Sequence, residues 1–235
     1  MFDPIHIDMH VLAQRAHNLR WAEQPADVIP LTAADPDFPA SPAIGEAIIR
    51  FSKDNYFSYG APQGQLAFRE AMSSFMHDQR RYSIGVEGIL PVDSAAFGIY
   101  LTCKTLLRPG DEAIVFDPVD FLFAYSVEAV GGIAVRFSIP AGTDRVDFTS
   151  MESLINPRTR LICPCNPLNP TGKVFTAEEL RSLAAVAEKH NLYILSDEIW
   201  SDIVYMPHTF TSIASLDKSV ADRTITVTGF SKSYG

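Results

Sequence analysis

The sequence predicts an α/β fold in which a mainly parallel sheet is sandwiched by helices. Three observations carry this. Six short runs are apolar and rich in β-branched residues: GILPVD at 88–93, EAIVFDP at 112–118, IAVRFSI at 133–139, TRLICPC at 159–165, LYILSDE at 192–198 and TITVTGF at 224–230. Strands buried on both faces have this character, whereas half-exposed strands alternate. Segments of helical periodicity separate several of the runs, as right-handed parallel crossovers require. Polar residues gather directly after the runs, at what would be the carboxyl ends of the strands.

Taken in order, the first fifty residues form an N-terminal arm and lobe. They contain the proline-rich stretch IPLTAADPDFPASP, which predicts an extended arm, and then a helix over 42–53. Residues 51–235 form the large domain. Within it, 64–79 and 94–107 have helical periodicity, and RPG at 108–110 ends the second helix. The segment 176–190 is the clearest helix. Thr176 can cap it, Glu179 completes a capping box, and Leu180, Leu183, Ala184 and Ala187 line one face. CNPLNPTGK at 165–173 holds two prolines, two asparagines and a glycine, which no helix or strand interior accommodates, so it is a rigid corner after the fourth run.

Composition bounds the function. The 235 residues are 47% hydrophobic and 20% charged, which places the chain among globular proteins. A formal net charge of −9 argues against a general affinity for nucleic acid or an anionic membrane. The N-terminus carries charges and histidines without an apolar core, so no signal peptide is expected, and no run of eighteen apolar residues predicts a spanning helix. Three cysteines, Cys103, Cys163 and Cys165, suggest reduced thiols and a cytoplasmic location. The six histidines lack metal-ligand spacing, and no metal site is expected.

In parallel α/β sheets, ligands bind beyond the carboxyl ends of the strands. The residues expected there are Asn166 and Asn169 after TRLICPC, Asp197 after LYILS, Lys232 after TITVTGFS, Phe121 and Phe123 after the 112–118 run, and a helix N-terminus at SAA. That set suits pyridoxal 5'-phosphate. Its aldehyde needs a lysine amine, its ring nitrogen a carboxylate, its phenolic oxygen a donor, its ring face a stacking partner and its phosphate a helix N-terminus. PTGKV does not serve as a nucleotide phosphate loop, because Pro167 and Val174 stand where that loop needs a glycine and a hydroxyl residue.

NPLNPTGK, SDEIW and GFSKSYG, in this order, resemble the motifs of the pyridoxal phosphate-dependent class I and II aminotransferases of fold type I. SYGAPQGQLAFREAM and LLRPGDEAIVFDP are similar to family segments as well. The resemblance implies transfer of an amino group between an amino acid and a 2-oxo acid. It implies that Lys232 carries the Schiff base and serves as proton-transfer base, and that Asp197 pairs with the ring nitrogen. Asn169 would bond the phenolic oxygen and help seat the substrate carboxylate, with Ala34 nearby, and Phe123 would stack on the ring. The backbone at Ala95 and Ala96, with Ser231, would hold the phosphate. Tyr59 would reach the phosphate of a neighbouring subunit, which implies a homodimer.

The chain departs from that pattern in places. Trp200 stands where many members have a tyrosine that bonds the cofactor, and an indole donates but cannot accept. VDSAAFG lacks the usual glycine and hydroxyl of the phosphate loop, and Gly229 replaces a frequent hydroxyl. The sequence stops at Gly235, ahead of the C-terminal small domain that members carry, so truncation is expected. Two other functions fit the same residues: a cystathionine-type carbon–sulfur β-lyase, and a cofactor-binding module without turnover.

Overall fold

The computed structural model describes residues 7–235 except 26, 33 and 35. It divides into two compact units. One runs through Tyr59 and also takes in Phe230–Gly235; the other is Gly60–Gly229.

The first unit contains α1 (Met9–Arg15) and α2 (Pro42–Ser52). Asp8 starts α1 by accepting from the backbone N–H groups of His10 and Val11. Proline stands in the first turn of α2, where its missing N–H costs no hydrogen bond. Asp37 fastens the arm between the two helices, accepting from the Trp21 indole at 2.9 Å and from Arg20.

The second unit is built on five parallel strands: β1 (Glu112–Asp117), β2 (Ile133–Ser138), β3 (Thr159–Cys163), β4 (Tyr193–Asp197) and β5 (Thr224–Val227). Their order is β2-β1-β3-β4-β5. The helices are α3 (Leu66–Arg80), α4 (Ala95–Leu106), α5 (Leu122–Ala129), α6 (Ala177–Lys189) and the single turn α7 (Lys218–Ala221). The chain leaves β1 through α5 toward one edge of the sheet and leaves β3 through α6 toward the other. Right-handed crossovers in opposite directions put these helices on opposite faces, so the central strands β1, β3 and β4 are covered on both sides, whereas the edge strand β2 stays largely open to solvent. Ile114, Val115, Phe116, Leu161, Ile162, Ile194 and Leu195 are accordingly buried outright. Phe116 meets the rings of Phe137, Phe148 and Phe175 at centroid distances of 5.6–6.1 Å.

Five of the six apolar runs are strands. GILPVD is not: a 3₁₀ turn at Val86–Gly88 leads into irregular backbone. Pro91 has no N–H to give a ladder, and its ring packs so tightly on Gly64 that a Cβ there would lie 2.5 Å from Pro91 Cγ. The helix α5 escaped the sequence reading, because LFAYSVEA is too apolar all round to show a period.

The capping box of α6 forms as expected. Glu179 does more than cap. It is buried, accepts from Thr176 N and Val146 N at 2.8 Å each, and pairs with Lys173 Nζ at 3.0 Å. Burial opposes its charge, but these donors outweigh it and hold the carboxyl below the usual glutamate range. One side chain thereby ties together the start of α6, the loop after β2 and the Lys173 end of the corner. Glu179→Ala is expected to destabilise the chain by about 2–3 kcal/mol in a denaturant titration, the sum of a lost cap and lost buried bonds. Lys218→Ala, which removes only an exposed helix pair with Asp222, is expected to leave the midpoint almost unmoved.

Candidate active site

Reversal of direction between β1 and β3 opens a crevice at their carboxyl ends, where the two following loops diverge. The loop after β3 does not drift. Asp197 N donates to Pro164 O at 3.0 Å and Asn166 N donates to Asp197 O at 2.9 Å, so the corner is stitched to the end of β4. Asn166 is a buried strut: its amide donates to Thr211 O and accepts from Phe175 N. Gly172, at φ +75°, turns the chain back, with Leu168 N bonded to Lys173 O. Asn169 is thereby left at the crevice, where its Nδ2 donates to Asp120 Oδ2 at 3.2 Å.

Asp197 is buried at the end of β4, with Oδ1 accepting from Ile199 N at 3.0 Å. Burial pushes its pKa up to about 6; the Ile199 N–H works against this and the nearby Asp120 charge adds to it. A buried carboxyl so raised is suited to a cationic partner, and the protonated nitrogen of a pyridine ring is one. Glu198, its neighbour, is also buried. Oε1 accepts from Ser196 and Ser212, while Oε2 has no hydrogen-bond partner among the described residues. Burial pushes this pKa to about 7, against the hydroxyl bonds and the Arg80 charge. That enclosure suits a structural role for Glu198.

The helix α4 runs from this edge toward the start of β1, which places its N-terminus on the same side as the strand ends. Gly98 in its first turns lies against Val227, the last residue of β5: a Cβ there would be 3.3 Å from the valine. Ser94 caps the helix through Phe97 N, and Gly98 N bonds to Ser94 O. The N–H groups of Ala95 and Ala96 have no acceptor within the helix, which suits an anion. An amide donor, a buried carboxyl and a helix N-terminus along one sheet edge fit the functional groups of pyridoxal phosphate.

Phe123 does not fit the stacking role expected of it. It lies in α5, fully buried in the hydrophobic core, and no face of its ring is open to a ligand. Phe121, two residues earlier, is 75% exposed. Trp200 is half-buried in the turn after β4, three residues beyond Asp197. In the first unit, the Lys232 amine donates to Ala34 O at 3.0 Å, which joins two of the expected residues across 198 positions of sequence. Ser231 is exposed there, as is Tyr59. Asp120 was not anticipated. It belongs to no motif, and only the fold brings it beside Asn169 and Asp197.

Residues 26–235 match the family described as Aminotransferase class I and II. The chain belongs to that family. It is 32% identical over 209 residues to an aspartate aminotransferase of Thermotoga maritima, covering 88% of this chain and 55% of that enzyme. Among solved structures, an aromatic aminotransferase from Pyrococcus horikoshii superposes with a TM-score of 0.85 at 29% identity, over 91% of this chain and 57% of the other. Cystalysin from Treponema denticola, which contains a pyridoxal 5'-phosphate cofactor, shares the fold with a TM-score of 0.88 at 22% identity, over 100% and 61%. The chain spans about half the length of the curated relatives it matches. Among the described residues, no helix is long and apolar enough to cross a membrane.

The folded chain keeps two acidic side chains, Asp197 and Glu198, buried side by side. Both hold protons in the folded state that the unfolded chain, with ordinary values near about 4, has already released. Stability contributed in this way is greatest below that value and is lost as pH rises through about 6 and 7. Glu112 and Glu179, held below their usual range, act in the opposite sense, but only at pH values under that window. The melting temperature of the cofactor-free chain is expected to fall by about 5 °C between about pH 5.5 and pH 7.5. In a calorimetric pH series, Asp197→Asn with Glu198→Gln should flatten the slope.

Proposed function

We propose that this chain carries the pyridoxal phosphate site of an enzyme that moves an amino group between an amino acid and a 2-oxo acid. The observation that carries the reading is the buried Asp197 carboxyl, stitched to the corner that presents Asn169, in a chain of the class I and II family. When bound, pyridoxal phosphate supplies an electron sink for carbanion chemistry at the substrate's α-carbon. Asp197 holds the proton of the ring nitrogen, which keeps that sink strong. The Asn169 amide donates to the phenolic oxygen and helps seat the substrate carboxylate near Ala34. The N–H groups of Ala95 and Ala96 receive the phosphate, joined by the Ser231 hydroxyl. Trp200 offers an indole donor to the ring's polar edge and, unlike a phenol, no acceptor. Lys232 would hold the cofactor through its aldehyde and, once the substrate's own amine has displaced it, would be the free amine able to take the proton from the substrate Cα.

Tyr59, exposed on its own unit, reaches a phosphate in the neighbouring subunit of a homodimer. The cytoplasm is the compartment proposed. Cys103, Cys163 and Cys165 are all free and buried, and burial raises the pKa of each thiol, to about 11 for Cys103.

The test is spectroscopic first. Chain mixed with pyridoxal phosphate is expected to gain a visible absorption band that borohydride fixes covalently to the protein. Lys232→Ala should lack it. Asp197→Ala should lower affinity for the cofactor by at least about tenfold, the loss of one charge-assisted bond. Identical spectra for the wild type and Lys232→Ala would remove the reading. Pyruvate and ammonia from cystathionine without any 2-oxo acid acceptor would replace amino transfer by β-elimination.

A further inference from the structure

We propose that Asp120 is a positioning residue of this site. It fixes which way the Asn169 amide faces and sets a second negative charge beside Asp197, so that the crevice favours a ring carrying its proton. The inference rests on the reading of Asn169 and Asp197 as residues that hold the cofactor ring.

The two oxygens of Asp120 have separate duties. Oδ1 accepts from Leu122 N at 3.0 Å, and the residue's carbonyl accepts from Phe123 N at 3.2 Å, which anchors the side chain at the start of α5. Oδ2 is left for Asn169 Nδ2 at 3.2 Å. A carboxylate accepts only, so it faces the NH₂ end of the amide and never the oxygen end. The amide orientation is then determined, and its second N–H becomes a donor of fixed direction toward the crevice. Without Asp120, a half-turn of the amide would put an acceptor where a phenolate oxygen needs a donor.

The charge acts separately. Asp197 is faced by Asp120 from the loop after β1 and by the Cys165 thiol from the loop after β3. The thiol is buried and held protonated, and it accepts from Asn169 N, so Asp120 is the charged member of the pair. Two carboxylates near one ring nitrogen stabilise a cation there more than one does, because the buried member has little solvent to screen it. This arrangement stands at the switch point of the sheet. One carboxylate comes from the loop after β1, the amide from the loop after β3, and the second carboxylate from β4.

Asp120→Asn separates these duties from the capping of α5. The asparagine keeps an oxygen for Leu122 N but turns its own NH₂ toward Asn169, which must flip to offer its oxygen. The experiment follows the Asn169 side-chain amide and the Asp197 carboxyl by NMR in the full 235-residue chain without cofactor, in wild type, D120N and D120A. Denaturant midpoints and the pyridoxal phosphate dissociation constant, read by tryptophan fluorescence, complete the set. D120N is expected to keep the wild-type unfolding midpoint and shift the Asn169 amide signals. It should lower the Asp197 titration midpoint by about 0.5 pH unit and weaken pyridoxal phosphate by about tenfold. D120A, which also loses the cap, should lower the unfolding midpoint while producing the same fall at Asp197.

Asn169 and Asp197 signals that stay at their wild-type positions in both variants would overturn the proposal. So would a D120N chain without a cooperative unfolding transition, since the Asp120 charge would then be needed for the fold itself. A wild-type chain that takes up no pyridoxal phosphate overturns the functional reading instead. The two failures are distinguishable because the NMR signals report on Asp120 with no cofactor present.

Discussion

Two backbone hydrogen bonds between the loop after β3 and the end of β4 are the constraint on which the rest of the site depends. Asp197 donates to Pro164 and receives from Asn166. Neither bond involves a side chain, so neither is removed by shortening a side chain at these positions. They set the height at which the proline-rich corner leaves the sheet, and hence where Asn169 stands relative to the carboxyl of Asp197. Asn166 completes the brace from the other side through Thr211 and Phe175. The prolines stiffen what lies between. The corner at 165–173 is therefore a part of the sheet edge and not a surface turn.

The electrostatics follow from the same geometry. A strand buried on both faces ends where its side chains are still enclosed, and Asp197 and Glu198 fall at that boundary. Their burial disfavours charge in each. They differ in company: Glu198 is surrounded by hydroxyl donors with Arg80 beyond, whereas Asp197 looks toward another carboxylate. Enclosure with hydroxyl donors suits a residue that holds structure together. Enclosure facing a like charge suits one that awaits a cation.

Much of this was legible in the sequence, for physical reasons that can be named. Buried strands announce themselves by apolar runs, and all five strands lie among the six runs read from the sequence. GILPVD fails because apolar character says nothing about whether each residue can donate a hydrogen bond, and Pro91 cannot. Asn169 and Asp197 could be placed at the ends of β3 and β4 because motif and strand end coincide. Phe123 was misjudged: its spacing is a local property, but whether a ring faces a crevice or a core is decided by how α5 lies on the sheet. Asp120 was invisible for the complementary reason. Its partner is 49 residues away, and no pattern in the chain around it announces the meeting.

The brace at Asn166 also bears on the order in which the molecule assembles. Its amide reaches Thr211, 45 residues later, and its backbone waits on Asp197. Closing loops of that length costs entropy before any contact is gained. The hairpin-like corner has its own internal bonds, but its docking requires β4 and the segment beyond it to be in place. A nascent chain that has synthesised the whole asparagine–proline motif therefore still lacks a docked corner. The pocket edge consolidates late, after the apolar strands that will support it have found one another.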